Sequence, residues 1–170
     1  LDIKLDNLIA NGSDFNINTG INLIPSAKIN IPSMDIKSNL VDADKLMVTV
    51  DKAMSLVPQA PASSAQNIDA DIPVVLKNGH FYGKKLKSGN IITGETSADF
   101  SLNNNILVLN KINTNVFDGK VKGDFSMNLL SGLMQIDVKG SNINIDKALV
   151  QACDMKDTLS GTTDFTAALS

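Results

Sequence analysis

Val108 to Lys147 reads VLNKINTNVFDGKVKGDFSMNLLSGLMQIDVKGSNINIDK, and it decides the fold class. Val121, Phe125, Met127 and Leu129 fall on one parity, with Lys120, Lys122, Asp124, Ser126 and Asn128 on the other. Period-two alternation marks a strand with one apolar and one wet face. Leu130-Ser131-Gly132 turns the chain, and Met134, Ile136 and Val138 resume the alternation against Gln135, Asp137 and Lys139. Two such runs around a short Ser-Gly connection predict a β-hairpin. After Gly140 the period changes: Ile145, Leu149 and Ala152 are spaced for a short amphipathic helix, with an Asx residue near Asn144 to Asp146 as its N-cap.

The same grammar extends in both directions. Leu1, Ile3 and Leu5 alternate up to the hairpin signal Asn11-Gly12. Phe15 and Ile17, then Ile21 and Leu23, predict a second hairpin across Asn18-Thr19-Gly20. Pro25 and Pro32 punctuate the next segment as strand ends or an edge, and Met34 and Ile36 follow. From Asp44 the spacing turns helical through Leu46, Val50, Ala53 and Val57. Pro58 to Gln66 is a low-complexity linker, with Gln59 to Gln66 expected to be exposed. Strands return at Ala70 to Leu76, ending at Asn78-Gly79, and at Phe81 to Lys87, closed by Ser88-Gly89. Ala98, Phe100 and Leu102 lead to a turn at Asn103-Asn104-Asn105, and Phe165, Ala167 and Leu169 form a last strand. The expected organisation is a β unit over 1–57 ending in a helix, a linker over 58–67, and a second unit over 68–170 in one continuous sheet with the first.

An internal repeat supports two related units. Asp35-Ile36-Lys37 runs on to Val41-Asp42-Ala43-Asp44-Lys45, and Asp137-Val138-Lys139 runs on to Ile143-Asn144-Ile145-Asp146-Lys147 at the same spacing. Each copy ends a predicted strand and opens a predicted helix.

Composition excludes several functions. The net charge of −3 arises from 15 basic and 18 acidic residues, all the basic ones Lys, with no basic block to grip nucleic acid. Cys153 is the only cysteine, so no intrachain disulfide or Cys-based metal framework forms; on its predicted helix a buried structural thiol is expected. No apolar run reaches the ~20 residues of a membrane span. The chain lacks an initiator Met and begins mid-pattern, the expectation being a piece of a longer protein whose anchor lies elsewhere. His80, the only histidine, has no Gly-x-Ser-x-Gly partner motif and reads as a solvated residue at a strand edge. Asp14-x-Asn16-x-Asn18 imitates a calcium loop, but its glycine comes one place late and Pro25 replaces the closing Glu. Lys77, Lys84, Lys85 and Lys87 form a small basic cluster that reads first as a solvated hairpin face and second as a contact for anionic headgroups. No enzymatic activity, cofactor or metal is expected.

Phe117-Asp118-Gly119-Lys120-Val121-Lys122-Gly123, Leu130-Ser131-Gly132, Asn142-Ile143-Asn144-Ile145-Asp146 and Leu159-Ser160-Gly161-Thr162 together resemble the C-terminal region of AsmA-like proteins. The likeness covers Ile68 to Ser170 well and Leu1 to Val57 more weakly. It implies a periplasmic segment of a Gram-negative inner-membrane-anchored protein, similar to bridge-like lipid transfer proteins, whose partners are lipid acyl chains and envelope proteins. It also leaves open a structural role in outer-membrane protein biogenesis. The expected fold is a mainly β, curved, largely antiparallel sheet of amphipathic strands with two short helices on its apolar face. About ten strands at roughly 4.8 Å spacing make a sheet wider than two helices can cover. The uncovered part either closes on itself as a sandwich or barrel or forms a lipid groove. In the groove alternative the lining residues are Ala98, Phe100, Leu102, Val121, Phe125, Met127 and Ile136.

Overall fold

The computed structural model describes residues 1–23, 29–48, 73–156 and 159–170. Its strands are β1 (Asp2–Ala10), β2 (Ser13–Leu23), β3 (Ile29–Ser38), β4 (Val41–Asp42), β5 (Val74–Gly83), β6 (Leu86–Ser88), β7 (Ile91–Thr93), β8 (Thr96–Asn103), β9 (Ile106–Val116), β10 (Gly119–Asn128), β11 (Met134–Asn144) and β12 (Thr162–Leu169). Helix α1 is described over 43–48, and α2 spans Ile145–Cys153. The remainder of the helix expected to reach Val57, and the linker from Gln59 to Gln66, lie outside the described residues.

Nine strands form one sheet in the order β1-β2-β3-β5-β8-β9-β10-β11-β12. All neighbours are antiparallel except β3 and β5, whose parallel pairing joins the two sequence units into one sheet. The sheet is open: β1 and β12 are its two edges and do not pair with each other. A small sheet, β4-β6-β7, sits at the end where β3 and β5 finish, tied there by Val41 N to Lys85 O at 2.9 Å and Lys84 N to Ser38 O at 3.0 Å.

The repeat is a structural unit. In each copy the aliphatic residue before the helix is buried, Val41 at 8% and Ile143 at 4% accessibility. The next residue caps the helix: Asp42 Oδ1 accepts from Lys45 N at 3.2 Å, and Asn144 Oδ1 from Lys147 N at 3.0 Å. Each cap takes up an N–H that the first helical turn leaves unpaired. The Lys45 ammonium lies 3.3 Å from Asp42 Oδ2, whereas Lys147 reaches across to Asp118 at 2.6 Å. A carboxylate on the neighbouring strand holds the chain just before each cap. Leu40 N donates to Asp14 Oδ1 at 2.7 Å, and Asn142 N donates to Asp164 Oδ1 at 2.7 Å. The Leu40 amide is the main reason the Asp14 carboxyl lies below its ordinary range; partial burial opposes this, and Asn39 adds to it.

Four local expectations are corrected. Ser13–Leu23 is a single strand, not a hairpin across Asn18-Thr19-Gly20, because β1 and β3 pair with it on both sides and ladder bonds override the turn propensity of Asn and Gly. Pro32 lies inside β3, an interior strand, at a point skipped by both flanking registers, where no N–H is required. β5 likewise runs straight through Asn78-Gly79. Cys153 is exposed at the end of α2, a helix with no fully buried residue, and is therefore not a core thiol.

Candidate functional site

Side chains facing the same way in adjacent strands form rows across the sheet. One row crosses all nine strands: Ile3, Thr19, Met34, Gly79, Phe100, Leu109, Phe125, Ile136 and Leu169. A neighbouring row runs Ile31, Leu76, Leu102, Leu107, Met127 and Met134. On the other side lie Leu5, Ile17, Ile36, Phe81 and Ala98, with Gly123, Val138 and Ala167 further along. A fourth row, next to the helices, contains Ser38, Gly83, Thr96, Thr114, Val121, Gly140 and Phe165.

All seven expected lining residues are on this face. Phe100, Phe125 and Ile136 share the first row, Leu102 and Met127 the second, and Ala98 and Val121 the other two. β1, β2, β3 and β5 contribute the other half of the face, with Ile3, Leu5, Ile17, Ile31, Met34, Ile36, Leu76 and Phe81 at period-two positions. Leu107 and Leu109 also lie on it, but Ile106 and Val108 are apolar too, so parity alone does not phase that strand.

Bulges keep the face consistent. Wherever a strand carries an extra residue, the alternation would invert and turn apolar side chains to the wrong side. Asn7, Lys111 and Asn142 sit at such shifts with φ of 57°, 53° and 53°. Each has a backbone N–H bound by a side chain from the adjacent strand. Asn7 N donates to Asn16 Oδ1 at 3.0 Å, Lys111 N to Asp124 Oδ1 at 2.9 Å, and Asn142 N to Asp164 Oδ1 at 2.7 Å.

Aromatic rings lie over cross-strand glycines. A Cβ on Gly79 would come 2.5 Å from the Phe100 ring, and Phe165 similarly occupies the space above Gly140. The rings therefore lie along the sheet instead of standing off it.

Very little of this face is fully buried. Among the described residues the buried hydrophobic side chains are Val41, Leu76, Ala98 and Ile143. Leu109 and Phe125, near the middle of the sheet, keep partial solvent contact. A second layer over the rows would bury them. Helix α2 sits at one end, with Lys147 on Asp118 and Gln151 Oε1 accepting from Ile92 N at 3.5 Å. Taking nine strands at ~4.8 Å and about ten residues of ~3.3 Å each, the whole face measures roughly 1,400 Å², against the few hundred usual for a monomer's largest apolar patch.

The opposite face is polar. His80 Nδ1 lies 2.9 Å from Asp99 Oδ1, and Lys111 Nζ 2.8 Å from Asp99 Oδ2. Lys111 first, then His80, holds the Asp99 carboxyl below its ordinary range, and Asp99 in turn raises Lys111. His80 is exposed, but it sits on the fourth strand of the sheet and not at an edge. The Tyr82 hydroxyl donates to Glu95 at 3.0 Å, which raises its pKa.

No protein-family model matches the chain, and no match was found among curated proteins or solved structures. No described helix is long and apolar enough to cross a membrane.

Proposed function

We propose that this chain is a periplasmic, non-catalytic segment of an AsmA-like protein whose apolar sheet face holds lipid acyl chains moving between inner and outer membranes. One observation carries this reading: the apolar rows span nine hydrogen-bonded strands, and no described element lies over their middle. Burying that area removes apolar surface from water at about 25 cal/mol per Å². Acyl chains suit it because they need no hydrogen bonds, and the Thr19, Thr96 and Thr114 hydroxyls on this face are already engaged within the protein. The AsmA-like motifs between Phe117 and Thr162 supply the assignment to the cell envelope and to an inner-membrane anchor outside this chain.

The test is mass spectrometry of lipid retained by the purified chain. Co-purifying phospholipid that is lost in Phe125→Asp, with the variant still folded, is the expected result. A lipid-free wild-type chain that also fails to take up fluorescent fatty acid would refute the reading.

A second reading, a module aiding outer-membrane protein biogenesis through protein contacts, draws on strand β12. All eight of its residues are exposed, and it carries neither Lys nor Pro to discourage strand addition. Cross-linking from β12 to an envelope protein, with no lipid retained, would favour it.

A further inference from the structure

The polar face carries a second feature, independent of the apolar rows. Lys122 and Lys139 are direct cross-strand partners on β10 and β11. Facing like charges destabilise a sheet, so a pair left facing each other calls for a counter-charge. Lys120 lies two residues along the same face, about 7 Å away. The three ammonium groups make no ion pair with any described residue. Their cross-strand neighbours are neutral hydrogen-bonding groups: Asn113 beside Lys122, Asn115 and Ser141 beside Lys120, and Thr166 beside Lys139. The acids of the adjoining row, Asp124 and Asp137, face each other, and Asp124 is engaged by the Lys111 amide while Lys111 itself is held by Asp99. The three lysines, Asn113, Lys111, Asp124 and Asp137 line an open depression of about 590 Å³. With Lys111 neutralised by Asp99, three lysines against two aspartates still leave a locally positive surface on a chain of net charge −3.

We propose that Lys120, Lys122 and Lys139 form a binding site for a phosphate-bearing anion. Three cations on two strands, with Asn113 in the same depression, supply both charge and hydrogen bonds to a tetrahedral oxyanion. The phosphate comes either from a soluble phosphate or from an anionic lipid headgroup. The site lies on the sheet face opposite the apolar rows, so it stands or falls separately from lipid retention there.

The experiment is a titration of the ¹⁵N-labelled chain with inorganic phosphate at constant ionic strength, chloride being replaced stepwise. The expected result is saturable amide shifts centred on 119–123 and 137–141. Lys122→Gln/Lys139→Gln should weaken this binding roughly tenfold or more, whereas Lys122→Arg/Lys139→Arg retains it. Shifts that do not saturate, that spread equally to Lys4 and Lys84, or that persist in the Gln variant would overturn the site. Co-sedimentation with phosphatidylglycerol vesicles, against phosphatidylcholine vesicles, then identifies the source. Sedimentation that depends on the same lysines assigns a lipid headgroup. Saturable phosphate binding without sedimentation assigns a soluble phosphate.

Discussion

A charge placed on the apolar face distinguishes an uncovered surface from a core. Phe125 is half-buried between Leu109 and Ile136, on the third strand counting from the β12 edge. Ile143, on the same sheet, is 4% accessible at the end capped by α2. In Phe125→Asp the lost packing is a fraction of the roughly 1.5–3 kcal/mol that full burial of a Phe contributes. The new carboxylate meets water directly, so the cost stays near 1–2 kcal/mol. For a chain of this size about 1 kcal/mol shifts Tm by ~2–4 °C, and a drop of roughly 5 °C is expected. Ile143→Asp combines the ~2–5 kcal/mol of a large-to-small core change with several more for an unpaired buried carboxylate. That sum is comparable to the whole stability of a domain, about 5–15 kcal/mol, so cooperative folding should be lost. Differential scanning fluorimetry and near-UV circular dichroism on both variants provide the measurement. Phe125→Asp unfolding as completely as Ile143→Asp would show that the rows are covered, and the uncovered face would be abandoned.

Asn144→Ala should cost about 1 kcal/mol by removing the α2 N-cap, seen as a lower urea midpoint; Asp42→Ala should fray α1 in the same way, seen as faster amide exchange at Lys45. Gly79→Ala should cost about 1–3 kcal/mol, because its methyl would strike the Phe100 ring, and Phe100→Leu should recover most of that loss in a double-mutant cycle. Asp14 has its folded pKa held below the ordinary carboxylate value, chiefly by the Leu40 amide. Its stabilisation is therefore full above that ordinary value, near pH 4, and is lost as pH falls through the folded pKa. Asp14→Asn should give a shallower loss of urea stability between about pH 4 and pH 2 than wild type.

The β class, the β10–β11 hairpin, the repeat and the cap at Asn144 were all legible because each depends on local pattern. Period two, a Ser-Gly turn and an Asx before a helical spacing act within a few residues. The failures share one cause. At Asn18-Thr19-Gly20, Pro32 and Asn78-Gly79, residues with strong turn or breaker propensity sit inside long strands because partners on both sides hold them there. Those partners lie up to 46 residues away, as for Asn78 Nδ2 donating to Pro32 O. Gly79 reads as a turn in sequence, but its role is to leave room for a ring on another strand. That Ala98, Phe100, Leu102, Val121, Phe125, Met127 and Ile136 share one face was legible from parity, whereas the β1–β5 half of the face required the parallel β3–β5 pairing, which no local pattern encodes.

Part of the abundance of asparagine, puzzling for a β protein since Asn is a poor strand former, has a structural reason. Of the nine non-glycine residues with positive φ among the described residues, five are Asn: Asn7, Asn11, Asn104, Asn105 and Asn142. Asn tolerates the left-handed region better than most side chains, so it serves both the hairpin turns and the bulges. A bulge residue has its N–H outside the ladder, and a buried or half-buried amide without a partner is costly. Asn16, Asp124 and Asp164 each supply that partner from the next strand. The strands that carry Asn7, Lys111 and Asn142, up to 11 residues long, are thus re-phased with the bulge amide paired. Without the bulge at Lys111, Leu107 and Leu109 would face opposite to Ile112 and Thr114, and the apolar rows would break in the middle of the sheet. Short Asn and Asp side chains are what allow so many long strands to keep one continuous apolar face.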